Sequence, residues 1–129
     1  MENRILVKAL SKKYKRLEKR ILLNSEKVLK YIERKGFILE IFVVSDIRIR
    51  TLNSQFRGKD KSTNVLSFEL KNWPTVVSAG KRLRPIGEIY LAPDYIRREN
   101  ESLERLLTHG ILHLLGYDHQ KKGDSIRME

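Results

Sequence analysis

Residues 37–45, FILEIFVVS, form a nearly unbroken apolar run rich in branched side chains. Such a run predicts a buried strand, and a buried strand obliges other elements to cover it. The flanking sequence offers them. RILVKAL (4–10) reads as a first strand. From about Lys12 to Lys35 the apolar residues Leu17, Ile21, Val28 and Ile32 recur at three- and four-residue multiples, which predicts an amphipathic helix stopped by Gly36. Beyond the run, Ser45 or Asp46 caps a short helix carrying IRIRTLNSQF, and RGKDKSTN (57–64) is a polar loop. VLSFEL (65–70) is a strand, KNWPTVVSAGKRLRP (71–85) a surface loop or mobile hairpin, and IGEIYLA (86–92) another strand. PDYIRRE (93–99) opens a short helix with Pro93 near its first position. SLERLLTHGILHLLG (102–116) is a second clear helix, capped by Ser102 and placed to end at Gly116. That order predicts an α+β layer with helices against one sheet. A single domain over residues 1–129 is expected, because chains split into domains only well above ~200 residues.

All three histidines of the chain, His109, His113 and His119, fall within eleven positions. On a helix, residues four apart share a face, so His109 and His113 point the same way. At 100° per residue the buried arc of that helix is Leu103, Leu107, Gly110, Ile111 and Leu114, which leaves both histidines at its border. A turn after Gly116 lets the chain double back and bring His119 to the same point. Three neutral imidazoles with a fourth place open describe a catalytic zinc site, and the absence of cysteine removes thiolate ligands. A lone H-x3-H is a weak signal, whereas the triple with a helix break after its second member is a strong one. The pattern departs from the zinc-protease H-E-x-x-H at Gly110, which stands where the general-base glutamate belongs. Asp118 reads equally as an orienting or proton-accepting partner of His119 and as a turn former.

Charge points to a polyanion. The net charge is +11, and residues 1–35 alone hold twelve Lys/Arg against four Glu. Nucleic acid is the commonest partner for such a chain, and a merely solvated surface is the alternative. The opening MENRILVKALSKKYK has no apolar stretch long enough for a signal peptide or a membrane span. With no cysteine present, a cytoplasmic protein without an anchor is expected.

HGILHLLGYDH (109–119) resembles the signature H-G-x-L-H-L-x-G-Y-D-H of the bacterial YbeY family at every fixed position. LNSQFRGKDKSTNVLSFEL (52–70) is similar to the family's L-N-x-x-[FY]-R, basic loop and T-[DN]-V-L-S-F, and GEIYLA (87–92) to its G-[DE]-I strand. Asn64 and Glu88 stand where many members have aspartate, and Glu69 where proline is usual after L-S-F. The family's last helix extends further than Glu129, so a shortened C-terminal edge is expected. The resemblance implies an α+β fold with a small mixed β-sheet of about four strands and the metal-site helix on one side, near the C-terminus. It also implies a single-strand-specific, zinc-dependent endoribonuclease of ribosomal RNA maturation, with His109, His113 and His119 holding one zinc ion.

In that reading Arg57, otherwise one of many surface arginines, grips the phosphodiester through two parallel hydrogen bonds, with His109 beside it at the reacting centre. Lys59 and Lys61 hold flanking phosphates, and the basic first helix is a wider docking face for ribosomal RNA or the small ribosomal subunit. Neither DNA nor a membrane is an expected partner. The nucleophile is left open between a zinc-bound hydroxide and the neighbouring 2′-hydroxyl. Two other functions stay open: a ribosome-associated RNA-binding factor with a mainly structural zinc, and a zinc hydrolase of a substrate other than RNA.

Overall fold

The computed structural model describes residues 3–70 and 74–117. The apolar run is strand β2 (Phe37–Val43), preceded by β1 (Arg4–Ala9). Between them lie a 3-10 turn (Lys12–Leu17) and helix α1 (Glu18–Tyr31). Helix α2 (Asp46–Arg57) follows, then β3 (Val65–Glu69), β4 (Val76–Ser78) and β5 (Lys81–Leu91). Helices α3 (Pro93–Arg98) and α4 (Leu103–Leu114) complete the described chain. The sheet order is β1-β2-β5-β3, with β4 paired to the other end of β5. β1, β2 and β5 run parallel, and β3 is antiparallel to β5. The fold is therefore α+β with a mixed sheet, of five strands where about four are expected.

β2 is not equally buried on its two faces. Phe37, Leu39, Ile41 and Val43 are buried, while Ile38, Glu40 and Phe42 alternate with them and are only half-buried. The buried face meets Ile21 and Leu29 of α1 and Leu107 and Ile111 of α4, together with Ile89 and Leu91 of β5. α2 covers part of the opposite face through Ile49, which packs with Val44, Leu66 and Ala92. An aromatic row continues that second core across the sheet. Phe42 stacks on Tyr90 at 5.0 Å, Phe68 meets Tyr90 edge-on at 5.8 Å, and Phe56 meets Phe68 edge-on at 5.4 Å.

Two elements differ from expectation for identifiable reasons. The helix expected from Lys12 to Lys35 is a 3-10 turn followed by α1, and it stops at Tyr31. Tyr14 and Leu17 are the buried residues of the 3-10 turn, spaced three apart as its eclipsed side chains require. The Glu18 carboxylate accepts the Ala9 amide at 2.8 Å and ties the junction to the end of β1. The loop of residues 71–85 contains a hairpin. Ser78 pairs with Lys81, and the two turn residues Ala79 and Gly80 have φ of 53° and 76°. Both signs positive is the two-residue turn whose twist matches an antiparallel ribbon. The polar stretch K-R-L-R conceals the start of β5, because a ribbon in solvent buries only Leu83 and needs no apolar alternation.

Candidate active site

α4 lies along β3 and β5 with Leu103, Leu107, Gly110, Ile111 and Leu114 buried, the arc that its periodicity predicts. Ser102 caps it by accepting the Arg105 amide at 3.2 Å. Two ties fix its position: Arg20 of α1 is ion-paired with Glu104, and Asn64, at the head of β3, donates to Glu101 at 3.0 Å. The helix presses closely on the sheet at Gly110. A Cβ there would stand 3.0 Å from the Ser67 hydroxyl and 3.2 Å from Ile89 Cδ1. This explains the departure from H-E-x-x-H: position 110 faces the sheet, and a glutamate has no room there.

His109 and His113 are therefore half-buried at the rim of the helix–sheet contact, one turn and about 6 Å of helix axis apart. His109 has no side-chain hydrogen bond or ion pair among the described residues. Two imidazoles on one face, held by packing but open to solvent, fit a borderline divalent ion such as zinc. Among the described residues no group of three His, Asp or Glu side chains converges as a ligand set. His119, the expected third ligand, and Asp118 lie outside the described residues.

Arg57 is the exposed last residue of α2, and its side chain has no ion-pair or hydrogen-bond partner among the described residues. β3 stands between it and α4. Ser67 touches α4 at Gly110, whereas the next residue, Phe68, packs against Phe56 beside Arg57. The edge strand thus carries the histidine pair over one face and the end of α2 over the other. Lys59 and Lys61 are exposed in the loop that follows. That loop is held by Asn53, a residue of the L-N-x-x-F-R match whose role was not read from the sequence. Asn53 is buried, donates to the Lys61 carbonyl at 2.9 Å and accepts the Lys59 amide at 3.2 Å through its own carbonyl.

The sheet face shared with α2 also carries two carboxylates side by side. Glu40 and Glu88 are register partners on β2 and β5, and the Tyr90 hydroxyl donates to Glu88 at 3.1 Å. Burial, then the neighbouring Glu88, pushes the Glu40 carboxyl above the ordinary glutamate value. Burial, then Glu88, pushes the Tyr90 hydroxyl up to about 12.

An α+β domain with a histidine pair on the helix beside its edge strand is the class that this fold and site define. The model of the family described as endoribonuclease YbeY matches residues 2–129, and the chain belongs to that family. It is 38% identical over 121 residues to a protein of Anaeromyxobacter dehalogenans named endoribonuclease YbeY, covering 88% of this chain and 60% of that one. A Persephonella marina protein of the same name is 36% identical over 104 residues, covering 74% of this chain and 65% of its own. The chain thus spans less than two thirds of the length of these relatives. A solution structure of a Thermotoga maritima protein aligns with a TM-score of 0.55 at 25% identity, covering 96% of this chain and 83% of that one. No helix among the described residues is long and apolar enough to cross a membrane.

Proposed function

We propose that the chain is a zinc-dependent endoribonuclease that cleaves single-stranded RNA. In this reading it acts in the cytoplasm, in the maturation of small-subunit ribosomal RNA and in ribosome quality control. The observation that carries the reading is the pair His109 and His113, placed by α4 at the border of core and solvent. Membership of a family whose named relatives are endoribonucleases supplies the substrate class. His109, His113 and His119 would hold the ion, which when bound supplies Lewis acidity at a phosphoryl oxygen and acidifies water.

The chain's own groups do the rest. Arg57 presents a guanidinium with no competing described partner, so it is available to take two phosphate oxygens at once and to neutralise charge that develops on them. Phe56 and Phe68 hold the end of α2 against β3, and Asn53 folds the loop so that Lys59 and Lys61 follow the RNA backbone on either side of the scissile phosphate. Asp118, beside His119 in the sequence, is the group that would orient it in this reading.

Arg57→Ala is expected to lower cleavage of single-stranded ribosomal RNA about a hundredfold, the scale seen when one transition-state hydrogen-bond donor is lost. RNA affinity should change only a few-fold, since many other cations remain. Turnover of labelled RNA, measured beside filter binding, separates the enzyme from a binding factor. Undiminished cleavage by the variant defeats the role of Arg57, and absence of cleavage by the unaltered chain defeats the nuclease reading.

A further inference from the structure

The hairpin of β4 and β5 carries none of the residues of the proposed site. It is a two-stranded ribbon whose surface is basic and apolar together. Arg82 and Arg84 lie two apart on β5, hence on one face, and Val77 sits directly across from Arg82 on that face. Arg82 and Arg84 are exposed, Val77 is 69% exposed, and neither arginine side chain has a partner among the described residues.

The base of this ribbon joins a second basic segment. The Arg84 amide donates to the Gly36 carbonyl at 2.8 Å, and Arg84 pairs with Phe37 across the strands. Just before them stand Lys35, exposed and without a described partner, and Arg34. Segments 33–37 and 81–85 together carry five Lys/Arg against Glu33. Arg34 leads onward to α4: its guanidinium lies over the Phe37 ring at 5.3 Å and the Tyr117 ring at 5.9 Å, and it reaches the Tyr117 hydroxyl at 3.4 Å. Tyr117 is four residues beyond His113. Leu114, next to His113, packs where Gly87 of β5 leaves room for it. The positive track from the hairpin therefore ends at the same end of the sheet as the second candidate ligand.

We infer that this track, Arg82 and Arg84 on the hairpin with Lys35 at its base, is an RNA-docking surface that carries the backbone of the substrate strand toward the His113 end of α4. The inference rests on RNA being the substrate and adds a place for the strand outside the reacting centre. Charge selects the occupant. A row of guanidinium and ammonium groups with no partner among the described residues suits regularly spaced phosphates, and an exposed valine among them tolerates any base. The surface is distinct from Arg57 and its loop, which lie off the opposite face of β3.

The test is filter binding of an end-labelled single-stranded RNA on ice over a salt series, with the full chain and a gel to confirm intact RNA. Replacing Lys35, Arg82 and Arg84 with alanine together should weaken binding at least tenfold at physiological salt. The slope of log affinity against log salt should fall by about 2, three phosphate contacts at roughly 0.7 each. Arg82→Lys with Arg84→Lys should bind within a few-fold of the unaltered chain. The same charge loss away from both the track and α1, as Lys8→Ala, Arg48→Ala and Arg97→Ala, all exposed, should cost less than threefold. Unaltered binding by the first variant, in a chain that binds and cleaves RNA, overturns the surface and leaves the nuclease reading standing. An equal loss from the control variant also overturns it, by showing diffuse attraction. Displacement of RNA by polyglutamate of matched charge and concentration would assign the track to an acidic protein. A chain that binds no RNA at low salt overturns both readings together.

Discussion

His109→Ala is expected to remove RNA cleavage and tightly held metal together. His109 has no described side-chain partner, so its loss leaves no orphaned group in the fold, and thermal stability of the metal-free protein should be nearly unchanged. Its loss leaves His113 as the one described imidazole on that helix face. A divalent ion contributes several kcal/mol of charge stabilisation to phosphoryl transfer. At about 1.4 kcal/mol per tenfold, cleavage should fall by about a thousandfold. Bound zinc, measured by elemental analysis after gel filtration, should drop from one equivalent to well below it, a readout that does not depend on turnover. Retained zinc with lost cleavage would make His109 a group acting on the RNA instead of a ligand. Retained zinc with retained cleavage would remove it from the site.

Gly87→Ala is expected to destabilise the fold more than any other single methyl added to the described glycines. Gly87 has φ of +154°, a conformation that side chains rarely adopt. An added Cβ would stand 2.4 Å from the Phe68 carbonyl oxygen and 2.7 Å from Leu114 Cδ2. The carbonyl belongs to the backbone of β3, so it cannot rotate away. Backbone strain and overpacking each cost about 1–3 kcal/mol, and together about 4 kcal/mol is expected. For a domain of this length that lowers the melting temperature by about 15 °C. A thermal melt followed by circular dichroism reads it directly, and a drop below about 5 °C would show that β5 and α4 separate more easily than their contact implies. The same contact locates Leu114, so the variant should also weaken zinc binding where it remains folded.

Much of this architecture was legible because its signals are local. The spacing of Leu103, Leu107, Gly110, Ile111 and Leu114 alone defines which way α4 faces, and hence that His109 and His113 sit at its border. The serine caps at Ser45 and Ser102 are where the residue types place them. Features set by long-range packing were not legible. Nothing in IRIRTLNSQF says that α2 crosses to the face opposite α1 and α4, since that depends on the alternation of Phe42, Tyr90 and Phe68 in three separate strands. The hairpin was half-read, because K-R-L-R lacks the apolar alternation by which strands are recognised. Gly110 was legible both as a member of the buried arc and as a missing base, and its contact with Ser67 shows how little room the helix leaves there. Asn53 was legible as part of a motif, but not as the residue that folds the lysine loop. His119 and Asp118 lie outside the described residues, so the third ligand rests on the sequence.

The most direct measurement is cleavage of a single-stranded ribosomal RNA fragment by the purified chain, first after exhaustive chelation and again after one equivalent of zinc is returned. The account predicts that chelation abolishes cleavage, that zinc restores it, and that the His109→Ala protein recovers nothing. Cleavage at an undiminished rate in the chelated protein would contradict it.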